Sequence, residues 1–252
     1  MEQKRQEEKI ADQNPTQNQR AQNNSPVQIK ADTKHLILCE GAGDADFLNC
    51  YFRVAFHDKL AFLRSLQIMP LDGKDNLRPH LDALKNMDRF DRLKSILITL
   101  DADQSPKNVR EKIRHALADK GFSSPYYPHR WKQDKSLTIP IKTAYLIFPS
   151  LDEKLETGEL EDICLQTLSE PDADKIVQEI DLLITSLQEK FQRKFPKKAK
   201  SKLYTYFATH DEYIRKMRIK YVADDGGFNW DNPKLELLKN FLLELADSPA
   251  DN

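Results

Sequence analysis

Residues 93–103 run Leu-Lys-Ser-Ile-Leu-Ile-Thr-Leu-Asp-Ala-Asp, an apolar and β-branched stretch that stops at two carboxylates. Such a run is too short for a core helix and has no polar alternation, so it predicts a strand buried on both faces. Three shorter runs read the same way: His35–Cys39 closed by Glu40-Gly41, Leu66–Pro70 followed by the turn Asp72-Gly73, and Thr143–Phe148 closed by Pro149. Between them the spacing becomes helical. Phe47, Leu48, Tyr51, Phe52 and Ala55 form one apolar stripe running toward Phe56, Leu77 to Met87 forms a second, and Val109 to Asp119 precedes Gly121.

Strands alternating with helices predict an α/β core with a mostly parallel sheet flanked by helices, spanning residues 33–150. From about Asp152 the pattern turns helical, with Ile176–Phe195 long and amphipathic. Residues 151–247 are therefore expected to form a helical extension that completes the core. Residues 1–30 hold 11 Gln or Asn, no aromatic residue and only scattered apolar ones. This composition predicts a disordered tail over 1–32, and a short disordered end is expected over 248–252.

The chain has 252 residues, 39 Lys+Arg and 40 Asp+Glu, for a net charge of −1. That balance excludes a polycation that coats nucleic acid. Seven glycines argue against propellers and other turn-rich β folds, and no apolar run approaches ~20 residues, so no membrane span is expected. Three scattered cysteines, Cys39, Cys50 and Cys164, make no disulfide framework or zinc motif, and a reducing cytoplasm is expected.

The near-neutral total hides a separation. Residues 151–189 carry 12 acids against 2 lysines, whereas residues 190–202 carry 7 Lys/Arg and no acid. Such a run is ordinarily a solvated helix end; the functional reading is a local grip on phosphate.

Ligands of open α/β sheets gather beyond the carboxyl ends of the strands. Glu40 follows the first strand and Asp101 with Asp103 follow the third or fourth. Alternation places the last two on one side of an extended chain. Carboxylates so placed repel one another unless a hard cation intervenes, and Mg²⁺ (or Mn²⁺) suits oxygen donors that must also meet phosphate. Asp44, on the opening turn of the next helix, can add a ligand. A single strand-end acid would more often cap a helix or turn; the combination is more specific. Gly41-Ala-Gly43 does not make a dinucleotide fingerprint, because the third glycine position is Asp46. No P-loop, HExxH or GxSxG motif occurs, and the six histidines are scattered.

The order Glu40-Gly41-x-x-Asp44-x-x-Phe47-Leu48, then strand-Asp101-x-Asp103, resembles the Toprim domain of topoisomerases, bacterial primases, ribosomal-RNA maturases and OLD-type nucleases. More closely, the chain resembles an uncharacterised bacterial family with a Toprim-like core over about residues 34–245. The further matching elements are Asp72–Leu77, Phe148-Pro149, Gly158–Asp162, Lys200–Ala208 and Gly226–Asp231. The resemblance implies a Toprim-like fold and a Mg²⁺-dependent nuclease or related phosphodiester enzyme acting on DNA or RNA, with a separate partner ATPase as a possible companion. It implies that Glu40 is a general acid/base or metal ligand, that Asp101 and Asp103 bind Mg²⁺, and that Asp44 and Glu161 complete the metal site. Lys200 would serve the scissile phosphate, with Lys198 and Lys202 as neighbours competing for that role. Tyr204 and Tyr206 read as packing residues before stacking ones, Gly73-Lys74 as a turn or a phosphate contact, and Phe228-Asn-Trp230 as a hydrophobic plug.

Two other readings keep the same residues. A haloacid-dehalogenase-type phosphotransferase would use Asp101 as nucleophile, but its DxD follows the first strand and would leave Glu40 without a role. A degenerate Toprim fold would serve as a regulatory or assembly module.

Overall fold

The computed structural model describes residues 28–135, 140–152, 154–215 and 217–246. Its centre is a four-stranded, all-parallel sheet in the order β2-β1-β3-β4, with β1 His35–Cys39, β2 Leu66–Pro70, β3 Ser95–Asp101 and β4 Lys142–Phe148. Parallel strands need crossovers, supplied here by α1 Ala42–Ala55 with α2 Leu60–Ser65, by α3 Leu77–Lys85 and by α4 Pro106–Asp119. The remaining helices are α5 Leu160–Gln166, α6 Ala173–Phe191, α7 Lys198–Ala208, α8 Ile219–Asp224 and α9 Glu236–Ala246.

Side-chain alternation along the strands feeds two cores. Leu36, Leu38, Ile96, Ile98, Leu100, Tyr145 and Ile147 face α3 and α4. Ile37, Cys39, Leu97, Ala144, Leu146 and Phe148 face α1 and the helices that follow β4. Both faces are thus covered, which explains why the strand sequences are unbroken apolar runs. The second core mixes residues from before and after 150: Trp230 lies with its ring 5.4 Å from Phe47 and 5.8 Å from Tyr51. Phe228 is buried beside them, 5.4 Å from the Trp230 ring. Cys39, Cys50 and Cys164 are buried free thiols. Among the described residues no helix is long and apolar enough to cross a membrane.

Two boundaries differ from the sequence expectation, while the first helix keeps Asp44 in its opening turn as expected. Helix α1 begins at Ala42, where Asp44 in its first turn accepts the Gly41 N–H at 3.2 Å. Helix α6 stops at Phe191 because Gln192 turns left-handed, at φ 54°. Most of the expected tail, residues 1–27, and the end from 247 lie outside the described residues, but 28–32 pack: Ile29 is buried and Gln67 Oε1 accepts the Lys30 N–H at 2.9 Å.

Candidate functional site

The chain steps from β1 outward to β2, then back across to β3, so the sheet changes winding direction between β1 and β3. Loops diverge at such a point and leave a crevice beyond the carboxyl ends of the two strands. A cleft of about 210 Å³ lies there, lined by Glu40, Asp44, Asp72, Asp101, Glu161, Lys197 and Lys200, with Gly41, Ala42, Gly43 and Gly73 forming backbone walls.

Each acid is held by the element that carries it. Glu40 follows β1, and its Oε2 accepts the Asp101 backbone N–H at 3.1 Å, tying the ends of β1 and β3 together. Asp101, the last residue of β3, is buried, and its Oδ1 accepts the Leu160 N–H at 2.8 Å, which docks the start of α5. Asp44 is also buried; one oxygen takes the Gly41 N–H, and its Oδ1 has no hydrogen-bond partner. Glu161, in the first turn of α5, is buried and meets Lys200 Nζ at 3.4 Å.

This burial sets the electrostatics. Desolvation, and then the Asp44, Glu40 and Glu161 carboxylates, push Asp101 up to about 9 against the opposing pull of the Leu160 N–H. Desolvation and then Glu161 push Asp44 up to about 7, with Glu40 adding to the shift. A cluster with these values is short of positive charge at neutral pH, and it relieves that shortage by taking protons or a cation.

Asp103 is placed differently from its sequence expectation. The strand ends at Asp101, and Asp103 adopts φ 46°, so side-chain alternation does not reach it. Its N–H donates to Gly158 O at 2.8 Å and its carbonyl accepts the Gly158 N–H at 2.9 Å. Its carboxylate is paired with Lys74 and, at 3.3 Å, with Lys197. Burial opposes them, yet these two ammonium groups hold Asp103 below the usual carboxylate range. Asp103 lines a neighbouring cavity with Lys74 and shares only Lys197 with the acidic cleft.

The basic run divides. Lys200 lines the cleft, whereas Lys198 and Lys202 pair with Asp181 of α6 at 2.9 and 3.5 Å. Lys197, not singled out among these lysines from sequence, bridges Asp103 and Glu159, the latter at 3.7 Å. Despite burial, Glu159, Asp103 and Asp101 hold its ammonium above the ordinary lysine range. A proline-lysine-lysine sequence cannot reveal which lysine the first turn of α7 will aim at an acid. Tyr206 is a core residue whose hydroxyl donates to Glu170 Oε2 at 2.6 Å, and Tyr204 is half-buried with Lys200 Nζ 5.9 Å from its ring centre.

In donor chemistry the cleft fits a hard divalent cation: its acids are oxygen donors, Asp44, Asp101 and Glu161 are buried, the Asp44, Glu40 and Glu161 carboxylates bear on Asp101, and one Asp44 oxygen has no partner. Among the described residues, no three His, Cys, Asp or Glu side chains stand close enough together to enclose an ion as placed.

No curated protein matches the chain. Among solved structures it is similar to the C-terminal region of the OLD protein of Xanthomonas campestris pv. campestris, at 12% identity over 86% of this chain and 97% of that one, with a TM-score of 0.41. A family model described as "Protein of unknown function (DUF3226)" matches residues 34–247. That match runs from before β1 into the segment after α9, so the chain belongs to the DUF3226 family.

Proposed function

We propose that the acidic cleft is a Toprim-type, Mg²⁺-dependent phosphodiester-cleaving site, and that the protein is a nuclease. The observation that carries this reading is the convergence of Glu40, Asp44, Asp101 and Glu161, from three separate chain segments, on one crevice at the winding switch, with Lys197 and Lys200 at the same cleft. Glu40, Asp44, Asp101 and Glu161 would hold the cation. When bound, Mg²⁺ neutralises phosphate oxygens and lowers the pKa of an attached water.

The chain's own groups do the rest. Glu40 is fixed by the Asp101 N–H through one oxygen, which orients its carboxylate for proton transfer at the reacting phosphate. Lys200, held over the cleft by Glu161, supplies a positive charge where the phosphate becomes more negative. Asp103 acts as a positioning residue, pairing with Lys197 at the cleft and with Lys74 in the neighbouring cavity.

Incubating the purified protein with Mg²⁺ or Mn²⁺ and plasmid, single-stranded DNA or RNA tests the reading. Cleavage of at least one substrate that Asp101→Ala abolishes is expected. No cleavage of any, or cleavage that Asp101→Ala leaves intact, overturns it.

A further inference from the structure

The opposite edge of the sheet, where the strands begin, holds a larger cavity that plays no part in the nuclease reading. Its volume is about 950 Å³, and five cations line it: Lys34, Arg64, Arg92, Lys94 and Lys142. Two carboxylates face them, Asp32 and Asp91. Strands of five to seven residues separate this edge from the acidic cleft, a distance of roughly 17–23 Å at ~3.3 Å per residue.

Backbone pairing arrays the lysines. Lys34 N–H donates to Ser65 O at 2.8 Å, Lys94 N–H to Lys34 O at 2.8 Å, and Lys142 N–H to Lys94 O at 3.0 Å. Lys34 and Lys94 thus stand just before the paired first residues of β1 and β3, and Lys142 opens β4 opposite Ser95, on strands about 4.8 Å apart. Arg64 precedes β2 by two residues and adds a cation at the fourth strand. Lys34, Arg64 and Arg92 are exposed, and among the described residues none of them has a carboxylate at ion-pairing distance. Lys142 is steered by the Trp131 ring, 5.0 Å from its Nζ.

The buried His35 registers the same field. Its Nδ1 lies 2.9 Å from Ser95 Oγ, and burial followed by Lys94, Lys34 and Lys142 lowers its pKa to about 4. A lysine at a strand start is ordinarily a solvated guard against edge pairing. Such guards spread over convex surface, however, whereas these five residues line one concavity together with two acids. Their mutual repulsion is relieved by an anion that several of them contact at once.

We propose that this cavity is a second binding site, for the phosphate groups of a polyanion. Two sources offer that chemistry: a free oligophosphate, such as a nucleoside triphosphate, and a nucleic-acid backbone. The volume falls in the ~300–1,000 Å³ range of small-ligand sites, and the row of cations also suits successive backbone phosphates.

Calorimetric titration with tripolyphosphate and ATP, and fluorescence anisotropy with a labelled single-stranded oligonucleotide, test this at low salt. Both are run in EDTA, so that the outcome does not depend on a cation in the acidic cleft. Wild-type protein is expected to bind at least one probe, with affinity falling as salt rises. The double variant Lys34→Gln/Arg92→Gln is expected to bind it at least ~10-fold more weakly. Asp91→Asn is expected to bind it about 2-fold or more tightly, a gain that misfolding cannot produce. Which probe responds identifies the source. Binding of neither probe, a double variant that binds like wild type, or an Asp91→Asn variant with no gain overturns the proposal.

Discussion

Glu40 Oε2 accepts the backbone N–H of Asp101 at 3.1 Å, so a side chain that follows β1 completes the hydrogen bonding at the end of β3. Two of the five residues that the sequence assigns to a cation are thus also a structural pair. Chemistry and fold can be separated by substitution. Glu40→Gln keeps a carbonyl acceptor for the Asp101 N–H but cannot transfer a proton. It is expected to keep the wild-type melting temperature or exceed it, while cleavage falls by ~10² or more. Glu40→Ala loses both and is expected to destabilise by about 1–2 kcal/mol as well. Melting curves beside cleavage rates check the pair; equal cleavage by Glu40→Gln and wild type would remove Glu40 from the chemistry.

The second prediction concerns pH. Folded-state values of about 9 for Asp101 and about 7 for Asp44 lie above the ordinary 3.8. Folding therefore favours their protonated forms, and the associated stability is fully present below pH ~4 and lost as pH rises toward ~9. Without divalent cations, the melting temperature is expected to fall across that window. Asp101→Asn keeps an acceptor for the Leu160 N–H and removes the charge. At pH 8 it is expected to melt higher than wild type by several degrees, given ~2–4 °C per kcal/mol at this chain length. Mg²⁺ is expected to raise the wild-type melting temperature and leave that of Asp101→Asn nearly unchanged. A wild type whose melting rises with pH in EDTA would contradict the electrostatic account.

The strands were legible because a sheet buried on both faces writes itself as uninterrupted apolar runs. Ile96, Leu97 and Ile98 point to alternate cores, and all are fully buried. The strand-end acids were legible for the complementary reason, since a carboxylate straight after such a run must lie at a sheet edge. Asp103 was not, because its φ of 46° is a backbone choice that Asp tolerates without announcing. The division of Lys197, Lys198, Lys200 and Lys202 between the cleft and Asp181 depends on how α7 lies against α6, a packing relation absent from local sequence. The cationic row at the other edge was hidden because Lys34, Lys94 and Lys142 are tens of residues apart and become neighbours only through strand order.

The third prediction tests the division of the lysines. Lys200→Ala is expected to lower cleavage by ~10²–10³ by removing positive charge from the cleft. Lys198→Ala loses a partly exposed pair with Asp181, Lys202→Ala loses that pair and a charge near Asp162, and both are expected to cleave within about 2-fold of wild type. Because Glu161 is buried, Lys200→Met should also leave its carboxylate uncompensated, so stability is measured for both Lys200 variants. Equal losses at all three positions would mean that the basic run acts as a diffuse charge.

The last prediction concerns the backbone that presents Glu159 and Glu161. Gly158 has φ 135°, a conformation that side chains rarely adopt, and exchanges two backbone hydrogen bonds with Asp103. A Cβ there would lie 2.5 Å from Asp162 Oδ2 and 3.0 Å from Pro149 Cγ. Asp162 cannot readily withdraw, because the same Oδ2 accepts the Glu159 N–H at 2.9 Å and so shapes the start of α5. Gly121 offers the control: its φ is 76°, and a Cβ would meet nothing within 4 Å. Gly121→Ala is expected to cost about 1 kcal/mol, from backbone strain alone. Gly158→Ala adds a clash to the strain and is expected to cost ~2–4 kcal/mol. It should also weaken the Mg²⁺-dependent rise in melting temperature, since Glu161 and the Leu160 N–H that anchors Asp101 follow directly in the chain. Urea unfolding of both variants makes the comparison. A Gly158→Ala variant no less stable than Gly121→Ala would show that this turn relaxes freely, and that the cleft does not depend on it.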